Sequence, residues 1–281
     1  MMTSEQINYL LPKAVSASLR AGAVIMGVYK KEDYEVVLKS DHTPLTIADR
    51  LSHNLIKDYL GQTRIPLLSE EGREMLYEER MGWDMFWMVD PLDGTKEFID
   101  GNNEFTVNIA LMVDNRPELA VIYVPYIQKL YYAVHGGGAF LCESVAPDAA
   151  AEWSFADLTP SARRLPLAAA ANAPVRVAIS RSHNTEDTFR HVELLRQRYP
   201  DAEVVKQGSS YKFCMLAEGA VEFYVRTSDT YEWDTAAGEL ILSESGGSTV
   251  DLATGTCFSY NKKSLVNPHF VCRSCHFPAQ E

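Results

Sequence analysis

The densest polar cluster in this 281-residue chain is Asp90-Pro91-Leu92-Asp93-Gly94-Thr95-Lys96-Glu97. It follows directly on the apolar run Met85-Phe86-Trp87-Met88-Val89, which reads as a buried strand. Two carboxylates three apart on a tight Pro-containing turn can face one point beyond the strand end. The Gly94 and Thr95 amides then fall at the start of a helical turn, where a phosphate is favourably held. Carboxylates converging beside an anion need a cation between them, and an all-oxygen ligand set points to Mg²⁺. A solvated acidic turn is the bland alternative; five apolar residues leading straight into the cluster argue against it.

Three further carboxylate positions could join such a site. Glu70-Glu71 follows the short apolar run Ile65-Pro-Leu-Leu68 and ends in Gly72, so it offers a ligand from a second strand end. Asp234 opens the helical stretch Trp233-Asp-Thr-Ala-Ala-Gly238, and alone it reads as an N-cap. Thr46-x-x-Asp49 reads as a capping box. Each has an adequate structural explanation by itself.

The elements that must position these groups are legible as periodicity. Apolar residues from Ile7 to Val28 recur at helical spacing, with Thr3-x-x-Gln6 as a capping box, and Ile47, Leu51, Leu55 and Tyr59 stripe a second helix. Strands are predicted at Thr106–Val113, Leu119–Val124 and Leu130–Val134 in a meander reaching Leu141, with Gly136–Gly138 as a hairpin turn. Residues 144–174 turn rich in Ala and Pro, and read as a linker or an insertion with one weak helix. Beyond them strands at 175–179, 203–205, 221–225 and 248–251 alternate with helices at 185–198, 209–218 and 234–245, and Phe270-Val271 reads as a last strand. The expected organisation is an α+β metal-binding unit over 1–143 and an α/β substrate unit over 175–281.

Composition bounds the partners. Apolar residues are 46% and charged residues 23%, and the formal charge is −12, which argues against a nucleic-acid polymer or an anionic membrane. No apolar run approaches the ~20 residues of a membrane span. The opening MMTSEQINYLLPK lacks the basic-then-apolar pattern of a signal peptide, and five scattered cysteines favour reduced thiols, so a cytoplasmic setting is expected. Cys272-Arg-Ser-Cys275-His276 spells a c-type haem attachment motif, but without an export signal it reads as two ordinary thiols.

Taken together, Asp90-Pro-Leu-Asp-Gly-Thr95, the upstream Glu70-Glu71 and the downstream Trp233-Asp-x-x-Ala-Gly238 resemble the inositol monophosphatase superfamily of Mg²⁺-dependent, lithium-sensitive phosphatases. The longer run Trp87–Ile99, followed by Glu104-Phe-Thr-Val-Asn-Ile-Ala-Leu111, is similar to its CysQ-type 3′(2′),5′-bisphosphate nucleotidase branch, as are Ser180-Arg-Ser-His183 and Gly208-Ser-Ser-Tyr-Lys-Phe-Cys214. The resemblance spans about residue 10 to about 272. It implies a layered αβαβα sandwich and hydrolysis of the 3′-phosphate of adenosine 3′,5′-bisphosphate, with two or three Mg²⁺ ions and an inositol or sugar phosphate monoesterase as the alternative. By the same resemblance Glu70, Asp90, Asp93, Asp234 and the Leu92 carbonyl are metal ligands, Glu70 and Asp234 also facing substrate. Asp49 and Thr95 orient and deprotonate the attacking water, and Gly94 and Thr95 hold the scissile phosphate. Ser180, His183, Gly208, Ser210 and Lys212 contact the nucleotide half, with Lys212 the cation for its second phosphate. The partner expected is a small phosphorylated nucleotide, with a homodimer left open. Lys39, in Lys39-Ser-Asp41, belongs to a loop near the metals or to a solvated one.

Rival chemistries fit less well. Haloacid-dehalogenase-like enzymes carry Asp-x-Asp-Gly-Thr, and Asp90-x-x-Asp93 is one residue longer, which favours water over an aspartyl nucleophile. His135-Gly-Gly-Gly138 resembles an esterase oxyanion motif, but the chain has no Gly-x-Ser-x-Gly elbow. A non-catalytic Mg²⁺ or nucleotide binder would have no use for Asp49 and Thr95 together.

Overall fold

A computed structural model describes residues 2–31, 36–38 and 44–277; Lys39 therefore lies outside the described residues. The N-terminal stripe folds as α1 (Ser4–Tyr29), which Thr3 and Gln6 cap reciprocally and which buries Leu11, Val15, Leu19 and Ile25. A short ribbon of β1 (Val37–Leu38) and β2 (Pro44–Leu45) precedes α2 (Ile47–Leu60).

The first large sheet has seven strands in sequence order: β3 (Leu67–Ser69), β4 (Met85–Asp93), β5 (Thr106–Val113), β6 (Arg116–Val124), β7 (Lys129–Val134), β8 (Gly138–Cys142) and β9 (Arg163–Arg164). Only β3 and β4 run parallel; the rest is a meander. Three short helices interrupt it: α3 (Tyr77–Arg80), α4 (Thr95–Ile99) and α5 (Phe155–Leu158). The hairpin turn expected at Gly136–Gly138 lies between β7 and β8, where the Gly136 and Gly138 amides donate to Glu244.

The second sheet has the order β11 (Glu203–Gln207), β10 (Arg176–Ser180), β12 (Phe223–Arg226), β14 (Phe270–Arg273), β13 (Ser248–Asp251). Its first three strands are parallel and the last two antiparallel, and the chain between them forms α6 (Glu186–Arg198), α7 (Tyr211–Glu218) and α8 (Glu232–Glu244).

Side-chain alternation sorts these elements into layers. On β4, Trp87 and Val89 face a core shared with α1 and α2, while Phe86 and Met88 face a core shared with α7 and α8. A strand covered on both faces reads as an unbroken apolar run, which is why Met85–Val89 shows no period of two. Phe213, Leu216 and Leu242 then pack the α7–α8 layer onto the second sheet, whose outer face is closed by Val192 of α6. The result is αβαβα, the layering expected from the resemblance. None of the described helices is long and apolar enough to cross a membrane.

Residues 144–174 follow the body of the molecule. Trp153 donates its amide to Ser16, Leu158 is buried with the α1–α2 core, Arg163–Arg164 extend the first sheet, and the Leu167 and Ala168 amides bond the Glu218 carbonyl ending α7. Asn172 then anchors on the fully buried Glu222. The segment thus carries a strand and a helical turn where composition alone offers little periodicity.

The middle layer depends on close approach. A Cβ on Gly238 of α8 would lie 2.4 Å from Cγ of Phe213 on α7. Gly238→Ala gains up to about 1 kcal/mol of helix propensity, but overpacking of this kind costs about 1–3 kcal/mol. The melting temperature is expected to fall rather than rise; a stabilised variant would show that α7 and α8 can separate freely.

Candidate active site

Residues three apart on a regular strand point to opposite faces, so Asp90 and Asp93 can share a site only if β4 departs from regularity. It does. Asp90 pairs with Asn108 and Asp93 with Thr106, so three steps on β4 oppose two on β5. The extra residue restores both aspartates to one face, and Pro91, which lacks an N–H, sits where the ladder is already broken. The Pro91 carbonyl accepts from Ser52 Oγ (2.7 Å) and the Leu92 amide donates to Asp90 Oδ1 (3.0 Å), which fixes the bulge. Gly94 follows at φ +93°, and a Cβ there would meet the Glu104 carbonyl at 2.9 Å.

Glu70, at the end of β3, and Asp234, on α8, complete a cluster in which Glu70, Asp90 and Asp234 each bring a carboxylate oxygen within 4.8 Å of the others. Burial, then Glu70, Asp93 and Asp234, push the Asp90 carboxyl well above the ordinary carboxylate range. Burial, then Asp93 and Glu70, do the same to Asp234. Three like charges at this separation are tolerated only with a proton or a cation among them. The donors are all hard oxygens, so the residues fit a divalent cation of the Mg²⁺ class. Asp93 stands beside the three rather than within them. Its Oδ2 accepts from the Ser210 amide, Asn108 Nδ2 (3.2 Å) and Thr106 Oγ1 (3.4 Å), which leaves Oδ1 for a ligand.

Asp49 and Asp234 solve the same problem identically. Each is the third residue of its helix and turns Oδ2 back to the N-cap amide: Asp49 to Thr46 N at 2.8 Å, Asp234 to Tyr231 N at 2.8 Å. One oxygen caps the helix and the other stays available. For Asp49 that other oxygen accepts from Thr95 Oγ1 at 2.9 Å. Asp49 is buried, and burial raises its carboxyl above the usual value against the opposing bonds from Thr46 and Thr95. The capping box read from the sequence is present, and it does not exhaust the residue.

Glu70, Asp90, Asp93, Asp234 and Thr95 line one cleft of about 440 Å³ together with Ser180, His183, Ser210, Lys212 and Arg226, and Asp49 lies behind Thr95. Lys96 and Arg226 were not singled out in the sequence. Burial, with Arg226, Lys96 and Lys212 around it, lowers His183 to about 4, so its ring is neutral at pH 7. Lys212 is lowered to about 8, first by burial and then by Arg226, and its ammonium donates to the carbonyls of Gln207 (3.1 Å) and Ser209 (2.5 Å) over the Tyr224 ring. Two of its three donors are thus committed to backbone. Gly208 is not among the residues lining the cleft; its amide is spent on Glu104 Oε2 at 2.7 Å.

An inositol monophosphatase family model matches residues 7–276. The chain belongs to the inositol monophosphatase family. Among curated relatives, a 3′(2′),5′-bisphosphate nucleotidase CysQ of Buchnera aphidicola is 38% identical over 261 residues, covering 92% of this chain and 90% of that one. Its namesake in Salmonella typhimurium is 35% identical, covering 93% and 98%. A crystal structure of CysQ from Bacteroides thetaiotaomicron superposes with a TM-score of 0.87 at 40% identity, covering 97% of this chain and 99% of that one. The fold extends to SuhB of Bartonella henselae, at a TM-score of 0.74 and 24% identity over 95% and 94% of the two chains.

Several supporting residues of this inositol monophosphatase site went unread. Thr106 and Asn108 are the polar, alternate positions of an otherwise apolar strand, and that break in pattern is a usable signal. Glu232, fully buried, accepts from the Asn261 and Lys262 amides and from Lys262 Nζ, so it holds the start of α8. Preceding Trp233, it looks like any acidic first-turn residue, and nothing in the sequence marks it.

Repulsion in the carboxylate cluster generates a test. In chelator, Asp90→Asn is expected to melt higher than the wild type, by at least about 1 kcal/mol, the equivalent of one pKa unit. On adding Mg²⁺ the wild type should gain stability in proportion to ligand binding, and the variant should lose most of that gain. A variant less stable in chelator that keeps the full Mg²⁺ shift would show that Asp90 is structural.

Proposed function

We propose that this chain is a Mg²⁺-dependent phosphomonoesterase that removes the 3′-phosphate of adenosine 3′,5′-bisphosphate, giving AMP and phosphate. One observation carries the reading: a carboxylate cluster, a Thr95 hydroxyl bonded to the buried Asp49 and a set of cations meet at one cleft. The nucleotide half rests on the bisphosphate nucleotidases that this chain resembles along more than nine-tenths of its length.

Glu70, Asp90, Asp93, Asp234 and the Leu92 carbonyl would hold two or three Mg²⁺ ions. Mg²⁺ bound there supplies Lewis acidity toward the phosphoryl oxygens and offsets charge on the attacking and leaving oxygens. Gly94 and Thr95 hold the reacting phosphate beside these ligands. Thr95 Oγ1 takes a proton from the attacking water as it passes its own to Asp49 Oδ1, along the 2.9 Å bond already present. A carboxyl raised by burial is a stronger base for that step, and the two bonds from Thr46 keep its other oxygen fixed. Ser180, His183, Ser210 and Lys212 form the nucleotide side, with Gly208 set behind them on Glu104. Lys212 serves there through its buried charge and its one uncommitted donor.

A substrate panel tests the assignment. With Mg²⁺ present, kcat/KM is expected to be at least about tenfold higher for adenosine 3′,5′-bisphosphate than for inositol 1-phosphate, since a second charged contact contributes roughly 1.5–3 kcal/mol, and higher than for fructose 1,6-bisphosphate, which has the second phosphate but no nucleoside. Excess chelator should abolish turnover. A preference for inositol phosphate would move the chain to the monoesterase branch; full activity in chelator would overturn the metal mechanism.

Asp49→Asn separates base from cap. Asparagine keeps a carbonyl oxygen for the Thr46 amide, so the loss of stability should be under about 1 kcal/mol. Loss of the proton acceptor should lower kcat by about 10²–10⁴-fold. Wild-type kcat in this variant would leave Asp49 a helix cap alone.

A further inference from the structure

Ser180-Arg-Ser-His183 meets the segment 96–104 residue by residue. Arg181 makes two charge-assisted bonds to Glu104, at 2.6 and 2.5 Å, and the same carboxylate accepts the Gly208 amide. Ser182 Oγ donates to the buried Glu97 at 2.7 Å. Lys96 Nζ lies 3.0 Å from His183 Nε2. Three successive residues thus stitch the loop after β10 to α4 and the approach to β5.

The stitches differ in strength. Two end on carboxylates, and one of those is bidentate and further tied to backbone. The third ends on a neutral ring, where an exposed ammonium meets no opposite charge. Lys96 is therefore held by the partner most easily exchanged for an anion.

Its neighbours are not so free. The cations lining the cleft among the described residues are Lys96, Lys212 and Arg226. Lys212 is committed to the Gln207 and Ser209 carbonyls, and Arg226 to those of Ser228 (3.1 Å) and Asp229 (2.9 Å). Both are buried and fixed, so they set a positive field without swinging to meet a ligand. Lys96 alone of the three pairs with a side chain, at an exposed position.

We propose that Lys96 determines specificity, its ammonium leaving His183 Nε2 to bind the second, non-reacting phosphate of the substrate. The inference rests on the nucleotidase reading above. The exchange breaks no covalent bond: an ammonium–imidazole hydrogen bond is replaced by an ammonium–phosphate one. His183 remains held through its amide on Ser180 Oγ (3.1 Å) and its carbonyl on Ser228 Oγ (3.0 Å), so the wall keeps its shape.

The test compares adenosine 3′,5′-bisphosphate with adenosine 3′-monophosphate, which differ only in the second phosphate, on the Mg²⁺-loaded wild type, Lys96→Gln and Lys96→Arg. Lys96→Gln is expected to lower kcat/KM for the bisphosphate by about 10- to 100-fold, chiefly through KM, and to leave the monophosphate within about twofold. Lys96→Arg should recover most of the loss. Equal losses on both substrates would make Lys96 a stitch of the fold or a partner of the reacting phosphate; no loss on either would make it a surface lysine. Either result overturns the proposal while the wild type still prefers the bisphosphate. A wild type that prefers neither substrate fails earlier, and overturns the nucleotidase reading and this inference together.

Discussion

Holding three carboxylates within 4.8 Å of one another, with Asp90 buried and Glu70 and Asp234 half-buried, is the constraint on which the rest of this molecule depends. No isolated stretch of chain would do so, because both burial and mutual repulsion disfavour the charged forms. The carboxylates come from the ends of β3 and β4 and from the first turn of α8, and a rigid layer stands behind each. The first sheet is sealed on both faces by apolar side chains, and α8 lies wedged between the two sheets. Stability gained in those cores opposes the repulsion at their rim. Sites of this kind are functional ones, where a protein keeps a charge arrangement that folding alone would reject.

Economy of oxygens makes the arrangement rigid without extra residues. Asp49 and Asp234 spend one oxygen on a helix N-terminus, Asp49 giving its other to Thr95 and Asp234 keeping its other for the cleft, and Asp93 spends one on Ser210, Asn108 and Thr106. A carboxylate anchored through one oxygen has its other oxygen aimed. The Asp93 anchor also reaches across the molecule, since Ser210 begins the helix that carries Lys212. The carboxylate side of the cleft and the side that carries Lys212 are thus joined by a single carboxylate.

Sequence pattern reaches most of this and fails in identifiable places. The helical stripes, the meander, the Asp90–Thr95 turn and its family resemblance were readable, because each is local and periodic or local and dense. The β4 bulge was not: a Pro-containing turn was expected to bring Asp90 and Asp93 to one point, and only the pairing with Asn108 and Thr106 shows that a bulge within the strand does so. Asp49 and Asp234 read as caps because they are caps; their second use depends on Thr95 and on Glu70 and Asp90, distant in sequence. Residues 144–174 form a strand and a helical turn through contacts with Ser16, Glu218 and Glu222, none of them local. Lys212, expected as the cation for a second phosphate, is buried with two of its donors bonded to the Gln207 and Ser209 carbonyls, which its place in the sequence does not show.

The substrate proposed for this chain of net charge −12 is itself more negative than most. Long-range attraction cannot draw it in, because charges beyond about 10 Å are largely screened at physiological salt. The cleft answers locally. Lys96, Lys212 and Arg226 gather around one imidazole, and their combined field, added to burial, keeps that ring neutral at pH 7. A protonated His183 would add a fourth positive charge, but it would also repel Lys96 and break the seam that positions it. Neutral, the ring holds Lys96 weakly and yields it to an anion. The low affinity of His183 for its own proton is therefore part of how the cleft stays both closed and receptive.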